Sequence, residues 1–344
     1  MSENTAPWVP TLALITAALL WGSSFIALKL AFTAYEPMLV IFGRMAVASI
    51  LFLAVFSKLG ASNFRRADLK YLLFMAFCEP CLYFLFEAKA LENTTASQAG
   101  VITAMLPLMV ALAARLVLSE PLSRRMLAGF VVAIAGACWL SLTGESSQSA
   151  PRPALGNLLE FLAMICATGY FITLKFLARS YSPWFLTAWQ AFIGSLFFFP
   201  LMLLTSRGLP SPVPVVPALS IVYLGAFITI GAYGLYNFGI SRLPVSRASA
   251  YVNLIPVFAV ALGWLVLGET FTAPQYLAAI LVFAGIYLSQ TGKKHQKTTT
   301  PAAPLQLLKP VAQAGRPVLS NETGTRAAAQ APCRAAVEKP DAFR

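Results

Sequence analysis

Charge is what this chain lacks most. Asp, Glu, Lys and Arg make up 11% of its 344 residues, while 58% are hydrophobic. An average soluble domain carries about 25% charged residues. A surface that faces water cannot be built from so few, whereas a surface that faces lipid needs almost none. Histidine is nearly missing as well: the single one is His295. With no histidine and no clustered acids in the apolar segments, the chain offers no constellation for acid–base or metal-assisted catalysis. Cysteine is sparse and odd in number, at positions 78, 81, 138, 166 and 333, which excludes a complete disulfide framework. Cys78 and Cys81 form a C-x-x-C, but inside an apolar run and without partners for a four-ligand zinc site, so they read as small packing residues. No metal and no cofactor are expected. The opening MSENTAPWVP lacks Lys and Arg, so the first apolar run reads as a retained helix and not as a cleaved signal.

Long apolar runs are what the chain has. A helix needs about 20 mainly apolar residues to cross a bilayer. Such runs fall at 9–30, 37–57, 69–88, 96–118, 126–143, 155–177, 183–204, 217–240, 246–267 and 274–290. They predict an all-α membrane protein of about ten transmembrane helices with short connections. Residues 1–8 read as a short cytoplasmic N-terminus. From 293 to 344 the composition turns to Ala, Pro, Thr and Lys without apolar periodicity, which predicts a disordered, basic cytoplasmic tail. That tail carries nine Lys/Arg against three acids, half of the formal net charge of +12. The rest lies in short loops beside apolar spans, the usual orientation signal, so nucleic acid is not an expected partner.

The runs repeat. A shift of 149 residues lays Ser97 on Ser246, Pro107 on Pro256, Glu120 on Glu269 and Ala135-Gly136 on Ala284-Gly285. A shift of 146 lays Phe25-Ile26, Leu28 and Lys29 on Phe171-Ile172, Leu174 and Lys175. Matching Pro and Glu carry the weight, because both are rare within or beside a span. Residues 9–145 and 150–292 are thus expected to be two five-helix repeats, and an odd number of spans forces the second to enter the membrane upside down. The charges agree with that. Lys58, Arg65, Arg66 and Lys70 face a single Arg in the matching loop, while Asn93 and Gln98 match Arg242 and Arg247. Loops on the expected cytoplasmic side hold nine Lys/Arg against three opposite, with both termini cytoplasmic.

WGSSF at 21–25, Arg44 in the second span, AKALENTTAS at 88–97, Pro107 and LSEPL at 118–122 together resemble the drug/metabolite transporter superfamily, specifically its EamA type. In the second copy NFGISRLPVS at 237–246, Pro256 and LGETF at 267–271 repeat the pattern. The resemblance covers about residues 10–290. It implies two inverted five-helix repeats around a central cavity, alternating access, and commonly export of amino acids, other metabolites or drugs. The expected function is therefore a secondary transporter exporting small metabolites, with a small-molecule substrate, a lipid bilayer and a proton as coupling ion for partners. A bacterial cytoplasmic membrane suits such a short-looped carrier. An intramembrane enzyme for lipid-linked substrates is the first alternative, but it needs the catalytic groups that the spans lack. A channel or scaffold is the second, and a channel should show a ring of equivalent polar residues.

An ionised side chain at the bilayer centre costs about 2.5–3.5 kcal/mol on insertion scales, so each one needs a reason. Glu79 lies midway along the third span, before Pro80, which removes a helical hydrogen bond and kinks the helix. Depth counting places Arg44 within about 4 Å of the same level, close enough for the two to pair. The pair reads either as a proton or substrate-amine site at Glu79 biased by Arg44, or as a static ion pair that fixes helix packing. Glu160 is a second candidate, expected nearer the outer face and in reach of interfacial water. Ser24, Gln190, Asn237 and Asn253 are polar groups for a cavity or for bonds between helices. Trp21, Tyr83, Tyr170 and Tyr251 are aromatic candidates for the same cavity, with packing or an interfacial belt as the alternative. Pro107 and Pro256 read as paired hinge or kink elements. Glu120 and Glu269, at span ends, are expected to fix helix ends.

Overall fold

The computed structural model describes residues 8–54, 64–118, 124–206, 208, 210–243 and 251–290. The N-terminal residues, the tail beyond 290, Lys58, Glu120 and Arg247 lie outside the described residues, and so do the expectations attached to them. Among the described residues the structure is helical without a strand, apart from one isolated bridge between Ser147 and Ala150.

Ten helical segments occupy the ten apolar runs. They are α1 (Val9–Phe32), α2 (Pro37–Ala54), α3 (Arg66–Leu91), α4 (Ala96–Thr103 continuing as Leu106–Leu118) and α5 (Arg124–Leu142). The second half holds α6 (Pro153–Leu177), α7 (Pro183–Thr205), α8 (Val215–Arg242), α9 (Ile255–Leu267) and α10 (Ala273–Gln290). Seven of them are long and apolar enough to cross a membrane by themselves, while α5, α9 and α10 are shorter apolar helices. Large side chains such as Leu196, Leu204 and Trp264 stand exposed on the outside of the bundle. An apolar exterior of this kind needs hydrocarbon around it, and the chain is an integral multi-pass membrane protein.

Local chemistry sets the helix ends. Thr95 and Ser182 cap α4 and α7, each hydroxyl accepting from a backbone N–H three residues on. Gly268, at φ +66°, closes α9 in the left-handed conformation that glycine adopts without strain. The third span, expected to stop at residue 88, runs on to Leu91 because Lys89 and Glu92 pair at 2.7 Å on the exposed side and let the last turn reach solvent.

The two halves are built alike and run in opposite senses. Helix α1 packs on α8 and α9 as α6 packs on α3 and α4, and α2, α4 and α5 pack on their counterparts α7, α9 and α10. Each of these last three pairs is antiparallel. Gly136 of α5 lies against Ala278 and Val282 of α10, while Gly285 lies against Gly129 and Ala133. Phe42 meets Phe199 and Ser49 meets Ser195 between α2 and α7. Gly100 meets Ala259, and Gly263 meets Ser97, between α4 and α9. The Ser49–Ser195 hydrogen bond, 2.9 Å long, joins two residues 146 apart, which is the repeat shift itself. A residue bonded to its own counterpart sits on a two-fold axis, and that axis relates the halves.

Irregular backbone recurs at matching places. Helix α3 opens into a wider π-type turn at Phe77–Leu82, and α8 does so at Leu224–Ala232. Helix α4 breaks at Ala104-Met105, just before Pro107, and the chain breaks likewise at Asn253-Leu254, just before Pro256. The kinks in α3 and α4 and the break before α9 have prolines behind them. The one in α8 has none, and only the structure reveals it.

A Cβ at Gly136 would stand 2.7 Å from the backbone nitrogen of Val282, a contact that only backbone movement relieves. Gly136→Leu is expected to destabilise the bundle by about 1–3 kcal/mol or more. Gly231→Ala, whose added Cβ would make only ordinary contacts, with Leu20 at 3.7 Å and the Ala226 carbonyl at 3.9 Å, should be neutral. Thermal unfolding of the two purified variants checks the difference.

Candidate substrate site

The site begins with the kink in α3. The residue before a proline is pushed out of helical conformation, and Glu79 accordingly stands at φ −149°, ψ 115°. Its carbonyl, turned out of the helix ladder, accepts from Gln190 Nε2 of α7 at 2.9 Å. A neighbouring helix thus satisfies a backbone group that lipid could not. The Glu79 carboxylate is turned toward α8, where the Tyr233 hydroxyl donates to Oε1. One residue of the first half is held by two residues of the second.

Arg44 of α2 does not make the expected pair with Glu79. Its ion-pair partner among the described residues is Glu87, with Nη1 3.9 Å from Oε2. The physical reason is the kink: the extended Glu79 faces Tyr233, and two turns further along α3 Glu87 comes opposite the guanidinium. Nε of Arg44 donates to Thr229 Oγ1 at 3.3 Å, and its guanidinium carbon lies 4.0 Å above the Phe84 ring. Tyr83 donates to the other oxygen of Glu87 at 3.0 Å. Sequence reasoning missed Glu87, which stands next to the expected end of the third span at residue 88. The signal lay in where α3 ends: a helix reaching Leu91 puts Glu87 a full turn inside.

Arg44, Glu79, Tyr83 and Glu87 line a central cavity with Trp21, Ser24, Phe25, Phe84, Thr103, Phe171 and Tyr233 among others. The free volume between these side chains is about 40 Å³. A single water needs about 10–15 Å³ on this measure, so a few waters fit and a metabolite does not. The site as it stands is too tight for a metabolite. Trp21 packs its ring on Tyr233 and Tyr236 at centroid distances of 5.3 and 4.9 Å, making one wall aromatic.

The remaining predicted residues stand around this cavity and do not line it. Tyr170 donates to Asn237 Oδ1 at 3.4 Å, and Asn237 donates to Thr187 at 3.0 Å, forming a polar layer behind Tyr233. Gln190 supports the Glu79 carbonyl from the α7 side. Tyr251 packs against the core at the break before α9, where Val252 and Ile255 are the cavity residues. Asn253 lies in that break, with Oδ1 buried and unpartnered among the described residues.

Glu160 is not at the interface with water. Arg44, Glu79, Glu87 and Glu160 are 1, 4, 2 and 0% exposed, so Glu160 is the most deeply enclosed of the four. The close packing of α6 on α3 and α4 is what encloses it. One turn beyond it, toward the loop joining α5 to α6, a polar cluster closes the bundle. Thr94 donates to Asn157 Oδ1 at 2.8 Å, and Asn157 Nδ2 donates to Gln98 Oε1 at 2.9 Å and to Ser141 at 3.2 Å. At the same end Glu269 accepts from the backbone of Ala96 and Ser97 at 2.9 and 2.8 Å and from the Ser97 hydroxyl at 2.6 Å. It caps α4 from the opposite repeat, so the glutamate expected to fix a helix end fixes one in the other half.

Residues 8–142 and 154–291 match the model of a family described as the EamA-like transporter family. A protein of Bacillus subtilis strain 168 named "Uncharacterized transporter YetK" is 26% identical over 295 residues, covering 85% of this chain and 89% of that protein. A "Probable terminal-alkyne amino-acid exporter" of Streptantibioticus cattleyicolor is 24% identical, over 88% of this chain and 99% of its own length. A "Probable amino-acid metabolite efflux pump" of Salmonella typhimurium is 28% identical, over 83% and 95%. A solved crystal structure superposes with a TM-score of 0.58 at 21% identity, covering 81% of this chain and 97% of that one, a likeness of fold.

Breaking a buried ion pair by removing one partner costs about 3–5 kcal/mol, whereas replacing both by apolar residues is often neutral. Arg44→Met is therefore expected to lower stability by that amount, because Glu87 stays enclosed without its cation. The double variant with Glu87→Leu should recover most of the loss. Thermal unfolding in detergent measures both.

Proposed function

The chain belongs to the EamA-like transporter family and is a secondary transporter of small metabolites, and on that premise we propose that it exports amine-bearing solutes such as amino acids by alternating access. One observation carries the reading. Among the described residues the cavity is lined by two buried carboxyl groups, Glu79 and Glu87, against one buried guanidinium, Arg44. Arg44 balances one of them, and the surplus suits an ammonium group on the solute. Glu79 is the proposed amine site, with Tyr233 orienting its carboxylate and Trp21, Phe84 and Phe171 supplying apolar and aromatic faces for the solute's side chain. Arg44, freed from Glu87, is the counter-charge for a carboxylate on the same solute. The names of the Streptantibioticus and Salmonella relatives support amino acids and their metabolites as the class.

Pro107 and Pro256 are the proposed hinges. Each follows a break in a helix at matching positions of the two repeats, and the closed cavity must open toward one side at a time. The charge bias of the loops supports a bacterial cytoplasmic membrane with both termini cytoplasmic, so that the Glu269 end of the bundle faces outward.

Counterflow in proteoliposomes tests the reading, because only a carrier exchanges labelled solute against unlabelled across a closed membrane. Amino acids that raise the melting temperature of the purified protein are the solutes to use. Glu79→Gln is expected to lower exchange at least about tenfold, the size of effect expected of one lost charge-assisted bond, and to flatten its dependence on pH. An unchanged rate and pH profile would remove Glu79 from the mechanism.

For the topology, Phe64→Cys and Ser211→Cys in a cysteine-free background should react with an impermeant maleimide from opposite sides of the membrane. Labelling of both from one side defeats the inverted arrangement.

A further inference from the structure

Helices α3 and α6 run antiparallel, and two glycines fix their register. Gly156 lies against Thr94 and the Ala90 carbonyl, and Gly169 lies against the Cys78 sulfur. This register brings Glu160 level with Glu87, within electrostatic reach of it. Along α6, Glu160 lies on the buried stripe that carries Asn157 on one side and Met164, Ala167 and Phe171 on the other. The last three line the cavity, and Asn157 belongs to the closing cluster with Thr94, Gln98 and Ser141. Glu160 is therefore the single ionisable group of α6 between the closed end of the bundle and the cavity.

Among the described residues no cation is placed against it. From α3 the titratable groups within electrostatic reach of it are Glu87 and Tyr83. The facing segment of α4, Ala96–Thr103, carries no titratable side chain, and α5 contributes Ser141 at that end. Arg44 of α2 stands behind Glu87. Neither oxygen of Glu160 has a hydrogen-bond partner among the described residues. A permanent charge in such a place costs several kcal/mol. A carboxyl that exchanges its proton does not carry that cost through the whole cycle, and relays of this kind are a known use of acids inside membranes.

We propose that Glu160 is the coupling residue of the transport cycle. A proton entering through the Thr94–Gln98–Asn157–Ser141 cluster is taken up by the Glu160 carboxylate. The O–H bond at Glu160 then breaks as one forms at Glu87, which leaves Glu79 as the single cavity carboxylate, and Arg44 turns to it and displaces the solute's ammonium group. Glu87 gives up the proton to the cytoplasmic side when the cavity opens there, so proton and solute exchange, one inward for one outward. The proposal rests on the exporter reading above, and Glu160 itself lies outside the cavity lining.

The full-length protein in liposomes decides it, with a radiolabelled mixture of the common amino acids as probe. Counterflow at equal pH needs no net proton movement, whereas accumulation driven by an imposed pH gradient does. Glu160→Gln should retain counterflow and lose gradient-driven accumulation by at least about tenfold, as removal of a proton relay predicts. Both assays unchanged overturns the proposal. So does loss of both in a variant that still elutes and melts as the wild type does, since the residue would then serve binding or packing. If Glu160→Gln fails to fold, Glu160→Asp is the second variant, expected to transport with a displaced pH profile, and an unmoved profile overturns the idea. Infrared spectra of the wild type, taken between acid and alkaline pH without any solute, should contain a buried carboxyl band that Glu160→Gln lacks. Equal bands overturn the proposal whatever the solute. Wild-type protein silent in counterflow while that band titrates counts against the exporter reading and not against proton exchange at Glu160.

Discussion

Hydrocarbon tolerates an ionised side chain only at a cost of about 2.5–3.5 kcal/mol by insertion, and among its described residues this bundle encloses one arginine and three glutamates. For Arg44 and Glu79 neighbouring helices supply what lipid cannot. Arg44 has Glu87, Thr229 and the face of Phe84, and Glu79 has Tyr233 and Gln190. The Arg44–Thr229 bond and both contacts of Glu79 cross from one repeat to the other. The need to satisfy these groups therefore holds the two halves in register at the level where the solute must pass.

The scaffold is two-fold but its chemistry is not. Position 44 corresponds to Gln190 under the repeat shift of 146, and positions 79 and 87 correspond to Ile228 and Tyr236 under the shift of 149. Gly136 and Gly285 keep the symmetric contacts of α5 and α10, and Ser49 bonds to its own counterpart Ser195. Structural positions are thus shared between the copies, while the charged residues that line the cavity all belong to the first. The result is a single charged site across the axis in place of two equivalent ones. A symmetric frame able to open either way surrounds an asymmetric binding surface.

Closure at one end is polar and made from both repeats. Glu269 holds the N-terminus of α4, and Asn157 ties the α3–α4 turn to α5 and α6. Hydrogen bonds to water replace such bonds at little net change in free energy, so a polar seal opens more readily than an apolar one of equal area. With only about 40 Å³ free at its centre, the site exchanges solute only if such a seal parts.

The amino-acid order by itself determined the membrane class, the ten segments and the internal repeat, and it marked Glu79, Pro80 and Arg44 as rare residues within spans. Hydrophobic length, proline and rare charges are local signals that survive in a single chain. The inversion was legible too, because an odd number of spans and the swap of basic loops follow from counting. Which charges meet was decided by tertiary structure alone. Depth arithmetic treats helices as straight rods, and the extended backbone at Glu79 turns its carboxylate to Tyr233, leaving Glu87 to Arg44. Glu160 likewise looked interfacial from its place in the span, but its exposure depends on α3 and α4, whose packing no local pattern encodes. The kink in α8 carries no proline and had no signature to read.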